Sequence, residues 1–106
     1  MKNLSKAVFA ILAFCMVFAT WSLADSGADT FKAKCAMCHG ADGKGETGMG
    51  KTLKLRDMGS AEVQSQSDAD LANIITNGKN KMPKYDGKLT KDQIGDLVRF
   101  IRTLKH

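Results

Sequence analysis

The sequence predicts an all-α fold for one small domain that follows a removable leader. Three observations predict it: the chain has only 106 residues, its first two dozen residues differ in composition from the rest, and the apolar residues beyond them recur at helical spacing. A chain of this length holds at most one domain. No segment of the sequence alternates polar and apolar residues over the length of a strand.

Residues 1–24 have the composition of a secretory signal peptide. Two lysines precede an uncharged run of 18 residues from Ala7 to Ala24, which ends in the small-x-small pattern Ser-Leu-Ala. A basic start, an apolar middle and small residues at the cleavage site are typical of export signals. We therefore expect a mature domain over residues 25–106 in a bacterial periplasm. The alternative is an uncleaved membrane anchor, since 18 residues is near the lower limit for a spanning helix.

The first helix of the domain is expected from about Ser26 to Ala36, with a loop after it. Gly27, Phe31 and Cys35 recur every four residues and therefore share one helix face. Five glycines lie between Gly40 and Gly50, and such a density predicts a tightly turning loop.

Two further helices have both an apolar face and recognisable ends. One is predicted from Asp68 to Asn77, with Ser67 as its N-cap and Gly78 as its stop, and a short turn or helix over residues 60–64 precedes it. The last helix starts at the T-x-x-Q capping box of Thr90 to Gln93. Its apolar residues keep the helical period: Ile94, Leu97, Val98, Ile101 and Leu104.

The composition of the domain predicts that its side chains alone do not fill its centre. Without residues 1–24, the basic residues fall from 16 to 14 against 11 acidic ones, which leaves a net charge of +3. Phe31, Tyr85 and Phe100 are then the only aromatic residues. A domain this small buries only roughly 60 % of its unfolded surface and is marginally stable. The weak charge excess does not indicate nucleic-acid binding.

The motif that carries chemistry is Cys35-Ala-Met-Cys38-His39. Close cysteine pairs serve as redox disulfides, as zinc ligands and in covalent haem attachment. A redox pair is expected in a βαβ context, and zinc needs a fourth ligand, for which the only other histidine is the terminal His106. Covalent haem uses all three residues, because the thiols bond to the two vinyl groups and the histidine binds iron. We therefore predict one covalently attached haem c.

The chain resembles class I monohaem cytochromes c of the small bacterial kind. The resemblance covers residues 27–104 and rests on the segments GADTFKAKCAMCHGADGKG, LANIITNGKNKMPKY and LTKDQIGDLVRFIRTL. It implies three to four short helices around one haem. It also implies that Gly27 and Phe31 on the first helix cross Leu97 and Phe100 on the last.

A second axial ligand decides whether such a haem carries electrons or binds small molecules. Met82 lies 43 residues after His39, enough chain to reach the opposite face of the haem, and Pro83 stiffens its loop. The Met-Pro pair also matches the ligand loop of the family that the chain resembles. Met58 is one alternative, and an open or histidine-ligated position is the other. Two methionines are set aside because they lie in or soon after the motif: Met37 and Met49.

One position departs from the pattern of the family. Members often carry a proline in the loop after the C-x-x-C-H motif, and its carbonyl accepts a hydrogen bond from Nδ1 of the histidine. Gly48 stands about where that proline would be. A glycine carbonyl is able to take the same role with a less rigid geometry.

The resemblance implies a one-electron carrier that is not an enzyme. We expect a monomeric periplasmic shuttle between a quinol-oxidising complex and a terminal oxidase or a photosynthetic reaction centre. Four lysines around Met82 form a candidate docking patch for an acidic redox partner: Lys79, Lys81, Lys84 and Lys88. Two alternatives stay open, a ligand-binding or sensory haem protein with a labile sixth position and a membrane-tethered cytochrome subunit.

Overall fold

The computed structural model describes residues 26–106, so the predicted signal peptide lies outside the described residues. Within them the chain forms six helices and no strand, and the all-α fold class is confirmed. The helices exceed the expected three to four because three of them are only one or two turns long. None has the length and apolar character that a membrane span requires. The helices are α1 over residues 26–34, α2 Ala36–His39, α3 Gly48–Leu53, α4 Ala61–Gln64, α5 Asp68–Asn77 and α6 Lys91–Thr103.

The helix expected from Ser26 to Ala36 is interrupted at Cys35. Helix α1 ends at residue 34, Cys35 forms a turn with φ −115° and ψ −31°, and α2 begins at Ala36. Helix α2 ends after His39, because Gly40 has a φ of +83° that glycine adopts without strain. The C-x-x-C-H motif therefore lies on a short helical turn of its own, directly after α1.

The glycine-rich segment is not loop throughout, and the prediction of a loop as far as Gly50 is wrong at its end. Helix α3 starts at Gly48 because the Thr47 hydroxyl caps it, accepting a hydrogen bond from Gly50 N–H at 2.9 Å. Helix α3 ends at Leu53, because the next residue, Lys54, has a left-handed φ of +56°. Glycine disfavours a helix by about 1 kcal/mol relative to alanine, so the sequence carries no helical signal here.

The predicted caps of α5 and α6 are confirmed, and α4 has a similar cap that was not predicted. The Ser67 hydroxyl accepts a hydrogen bond from the backbone N–H three residues on, as the Ser60 hydroxyl does in α4, and Gly78 ends α5. Thr90 and Gln93 form both halves of their capping box, at 3.1 and 2.8 Å. Since a cap contributes about 1 kcal/mol, these local bonds fix where α4, α5 and α6 begin.

The core lies where α1 crosses α6. Phe31 and Leu97 are each 1 % exposed, and the Phe31 ring packs on Phe100 with centroids 4.8 Å apart and planes at 43°. Gly27 allows the close approach, because a side chain there would overlap the carbonyl oxygen of Asp96. The crossing that the resemblance implied is confirmed. The other buried apolar residues of the described chain are Val63, Leu71, Ile75, Ile94, Val98 and Ile101.

Replacing Gly27 with alanine tests this crossing. The added Cβ would overlap the Asp96 carbonyl and lie 3.2 Å from the Phe100 Cβ, so α1 must shift. We expect Gly27→Ala to lower the free energy of unfolding by about 2 kcal/mol, the usual cost of overpacking. Chemical unfolding of the mature protein measures it.

Gly95→Ala is the matched control, because Gly95 lies in α6 and no atom lies within 4 Å of its added Cβ. This variant should gain about 0.5–1 kcal/mol from helix propensity alone. Equal effects of the two substitutions would contradict the close approach at Gly27.

Candidate functional site

A cavity of about 590 Å³ separates the C-x-x-C-H turn from α5 and the turn that follows α5. All four predicted site residues line it: Cys35, Cys38, His39 and Met82. Its apolar lining includes the core residues Val63, Leu71, Ile75 and Ile101, so the cavity opens directly onto the core. Met58 also lines it, whereas Met37 and Met49 do not and are 83 % and 50 % exposed.

The two cysteines are half-buried thiols that form no disulfide in the structure. Burial, and secondarily the neighbouring Cys38, raises the pKa of the Cys35 thiol to about 11. Redox-active and nucleophilic cysteines have lowered pKa values, because the thiolate is the reactive form. The environment of these two cysteines therefore does not favour a C-x-x-C redox centre.

His39 lies on the same cavity wall with its ring partly buried. Burial lowers the pKa of His39, which favours the neutral imidazole, the form that binds metals. Its Nδ1 atom is fully buried and has no hydrogen-bond partner within the described chain. The expected acceptor, the carbonyl of Gly48, instead accepts a hydrogen bond from the Thr52 hydroxyl at 2.9 Å.

A zinc site finds no support in the described residues. They contain no cluster of three or more His, Cys, Asp or Glu side chains suited to holding a metal ion. His106, the only other histidine, is engaged elsewhere: its Nε2 lies 2.7 Å from an oxygen of Asp57, and its backbone N–H donates to the Gly59 carbonyl. The hydrogen bond from His106 is the main cause that lowers the pKa of Asp57. His106 is therefore exposed but held to the fold by these bonds.

Met82 is presented to the cavity by a tight turn after α5. Lys79 and Met82 exchange two backbone hydrogen bonds, at 3.0 and 3.3 Å, and Asn80 between them has a left-handed φ of +55°. Gly78 precedes this turn, and a side chain there would meet the Met82 carbonyl oxygen at 2.6 Å. The Met82 side chain is half-buried and packs against the core cluster.

The residues around the cavity suit a covalently held haem. Two thiols and an imidazole lie on one wall, a thioether lies in the turn after α5, and the rest of the lining combines aliphatic side chains that continue the core with basic and polar ones. The cavity also has the size expected for a cofactor site, roughly 300–1,000 Å³. Its wall continues the small core, so a large apolar disc here would complete the interior.

Comparison with known proteins agrees with this description. The family model for cytochrome c oxidase, cbb3-type, subunit III matches residues 22–101. Cytochrome c6 of Nostoc sp. is 39 % identical over 103 residues, which cover 94 % of this chain and 90 % of that protein. Cytochrome c6 of Porphyra purpurea is 34 % identical over 105 residues, covering 95 % and 93 %. The chain belongs to the cytochrome c family.

A solved structure supports the same assignment at the level of the fold. The KustC0563 c-type cytochrome superimposes with a TM-score of 0.71 at 32 % identity and covers 76 % of this chain and 98 % of its own. As a cytochrome c, the protein binds haem c covalently, carries electrons and is not an enzyme. The cavity described above is the candidate site for this haem and is called the haem cavity below.

The charged residues that line the haem cavity are all basic. The lining contains five cationic side chains and no acidic one: Lys34, Lys54, Arg56, Lys79 and Lys81. Two of the predicted docking lysines, Lys79 and Lys81, therefore lie on the wall itself. The other two, Lys84 and Lys88, are exposed beyond it, and Lys88 lies 6.0 Å from the centre of the Tyr85 ring.

Arg102 and Gln64 hold one wall of this cytochrome's haem cavity, a role that no motif in the sequence indicated. The Gln64 amide donates to the carbonyls of Met58 and Ile101, at 2.8 and 2.9 Å. Arg102 donates to the carbonyls of Gln64 and Gln66, at 2.9 and 2.6 Å, and to Asp68 at 2.9 Å. The segment 58–66, which carries three cavity residues, is thereby fixed to α6.

Substitutions of Arg102 and Asp68 distinguish the stability contribution of the carbonyl hydrogen bonds of Arg102 from that of its ion pair. The Asp68 side chain is 76 % exposed, and such pairs contribute only about 0–1 kcal/mol. The carbonyls of Gln64 and Gln66 are the stronger partners because their contacts are partly buried.

We expect Arg102→Leu to lower the free energy of unfolding by about 1–3 kcal/mol, since these carbonyls lose their donors. Asp68→Asn, the control, should cost less than about 1 kcal/mol. Equal losses in chemical unfolding would show that the ion pair is the main contribution.

Proposed function

We propose that this cytochrome is a periplasmic one-electron carrier whose haem iron is bound axially by His39 and Met82. The observation that carries the proposal is that both residues line one cavity together with Cys35 and Cys38. When bound, haem supplies the Fe(III)/Fe(II) couple. With both axial positions taken by side chains, no coordination site is left for a substrate.

Cys35 and Cys38 are the proposed thioether residues. Cys35 lies at the turn between α1 and α2, and Cys38 lies three positions later within α2, a spacing that suits the two vinyl groups along one haem edge. His39 follows directly and is proposed to bind iron through Nε2, since Nδ1 is buried against the chain. These three residues fix the haem to the end of α1, next to the core.

Met82 is preferred to Met58 as the second ligand because of where each residue lies in the fold. Met58 packs beside Gly43 in the loop that follows His39, with its sulfur 3.5 Å from where a Cβ of that glycine would be. The Met58 N–H also donates to the Gly43 carbonyl at 2.9 Å. Met58 therefore belongs to the His39 side of the cavity, whereas Met82 comes from the turn after α5. A thioether ligand favours Fe(II) and raises the reduction potential.

Substitution of the two methionines tests this assignment. Met82→Ala should abolish the six-coordinate low-spin ferric spectrum and allow prompt carbon monoxide binding to the reduced protein, because the sixth position opens. Met58→Ala, the matched control, should keep the low-spin spectrum and stay slow toward carbon monoxide. Visible spectra before and after carbon monoxide measure both. A low-spin spectrum that survives in Met82→Ala would exclude Met82 as the ligand, and prompt carbonyl formation in the parent would favour the ligand-binding alternative.

Redox partners are proposed to dock at the lysines beside Met82, with a quinol-oxidising complex as donor and a terminal oxidase or photosynthetic reaction centre as acceptor. Support comes from the cationic cavity wall and from the exposure of the docking patch, which consists of Lys79, Lys81, Lys84 and Lys88. Exposed charges of one sign around a redox centre accelerate encounters with oppositely charged partners.

The charge dependence of electron transfer tests the docking patch. Lys81→Gln with Lys84→Gln should slow oxidation by the anion ferricyanide at low ionic strength and leave a cationic cobalt(III) oxidant unslowed, because attraction to the anion weakens. The control pair Lys91→Gln with Lys105→Gln removes two exposed lysines that do not line the cavity. Stopped-flow rates across a salt series measure the effect. Equal slowing by both pairs would mean that net charge, not the patch, steers the encounter.

A further inference from the structure

The segment that carries Met82 leaves the end of α5 and returns to it. Gly78 N–H donates to a carbonyl in the last turn of α5 at 2.8 Å, and Tyr85 N–H donates to the Ile75 carbonyl at 3.1 Å. Residues 78–85, which we call the Met82 loop, are therefore attached to α5 at both ends. These bonds do not fix the loop to the C-x-x-C-H turn across the cavity.

A single side-chain hydrogen bond joins this loop to the C-x-x-C-H side of the haem cavity. The Tyr85 hydroxyl donates to the Lys34 carbonyl at 3.1 Å, across 51 positions of sequence. Every other hydrogen bond of residues 78–89 within the described chain stays inside that segment or goes to α5. Lys34 directly precedes Cys35, and both Lys34 and Tyr85 line the cavity. The bond therefore connects the two segments that carry the proposed axial ligands.

The break between α1 and α2 is what makes the Lys34 carbonyl available as an acceptor. In a continuous helix this carbonyl would accept a hydrogen bond from Cys38 N–H. Cys38 N–H donates instead to the Cys35 carbonyl, at 3.2 Å. The Lys34 carbonyl is thus one of the carbonyls at a helix end that need a partner from outside the helix. The Tyr85 hydroxyl supplies that partner.

The rest of Tyr85 is also held in place, so its hydroxyl is fixed by more than one contact. The ring is half-buried and packs against the core cluster. The Tyr85 carbonyl accepts hydrogen bonds from Lys88 N–H and Leu89 N–H, at 2.9 and 3.0 Å. Burial is the main cause that raises the pKa of Tyr85, so the hydroxyl keeps its proton and remains a donor at neutral pH.

We propose that Tyr85 is a positioning residue for Met82, holding the Met82 loop against the C-x-x-C-H turn through its bond to the Lys34 carbonyl. This inference rests on the proposed role of Met82 as iron ligand. Because Lys79 and Met82 exchange two backbone hydrogen bonds, the loop moves as one unit when the thioether leaves the iron. That movement breaks the bond between Tyr85 and Lys34. The bond therefore opposes the release of Met82, and Tyr85 acts through the loop rather than on the iron.

Removal of the Tyr85 hydroxyl tests the positioning role. Tyr85→Phe keeps the ring and loses the bond to Lys34. The ferric holoprotein is mixed with rising concentrations of imidazole, and the rate that imidazole binding reaches at saturation is the rate at which Met82 leaves the iron. We expect this limiting rate to rise about two- to tenfold in Tyr85→Phe, the effect of one lost hydrogen bond.

Thr103→Val is the matched control for Tyr85→Phe. It also removes an exposed hydrogen bond from a hydroxyl to a carbonyl, in this case a local bond of 2.6 Å to the Phe100 carbonyl in α6. Thr103 does not line the cavity. The limiting rate of imidazole binding should therefore equal that of the parent. A rise as large as that in Tyr85→Phe would contradict a specific role of the Tyr85 bond.

Amide hydrogen exchange of the reduced holoprotein distinguishes opening of the loop from a general loss of stability. In Tyr85→Phe we expect the protection of Met82 N–H to fall about two- to tenfold. The protection of Val98 N–H, in the buried centre of α6, should stay unchanged. An equal fall at both amides would overturn the proposal, because the variant would then destabilise the whole fold.

The failure of this proposal is distinguishable from the failure of the proposed function. A ferric parent without the near-infrared charge-transfer band of an iron–thioether bond would reject Met82 as ligand, and the positioning role with it. A parent that has this band, with a limiting rate and a Met82 exchange rate equal to those of Tyr85→Phe, would reject only the role of Tyr85.

Discussion

The crossing of α1 and α6 is the contact that determines where the walls of the haem cavity lie. Phe31 is buried in it at 1 % exposure, and its ring packs on Phe100. Burying a phenylalanine contributes about 1.5–3 kcal/mol, and an aromatic pair adds about 0.5–1.5 kcal/mol. Helix α1 leads from this crossing straight into Cys35 and His39, while α6 carries Arg102, which holds the segment 58–66 of the cavity lining. A shift of the crossing would therefore move these two parts of the lining relative to each other.

The small core also explains why haem is a structural component of this protein and not only its redox group. The buried apolar residues of the described chain include a single aromatic, Phe31, and several of the aliphatic ones face the cavity. An apolar disc in that position extends the core from α6 to α5. Because ligand binding to the folded state alone stabilises it, and covalent attachment keeps the disc at a high local concentration, we expect stability and haem attachment to be coupled.

Features encoded by neighbouring residues were predictable from the sequence, and features formed by distant residues were not. The caps at Ser67 and Thr90 and the C-x-x-C-H turn each lie within four or five residues, so their patterns are visible in the chain. Helix α3 was missed because its cap at Thr47 is followed by glycines that disfavour a helix. The contacts of Arg102 cross 34 to 38 positions, and those of His106 with Asp57 cross 49. Such long-range pairs produce no pattern in the sequence, so they are visible only in the folded structure.

The lining of the cavity has an apolar part and a cationic part, and the two parts serve different tasks of a redox carrier. Its apolar part would exclude water from the proposed haem, and water exclusion together with the proposed Met82 ligand would favour the reduced state. Its cationic members act from the wall and the exposed rim, where their field extends roughly 8–10 Å into solvent at physiological salt. Salt screens the exposed charges at the rim more strongly than charges shielded inside the cavity. Ionic strength should therefore change the rate of association with a partner more than it changes the reduction potential. Under the proposed docking, a chain with a weak net charge would still attract an acidic partner, because its cations are gathered around the cavity.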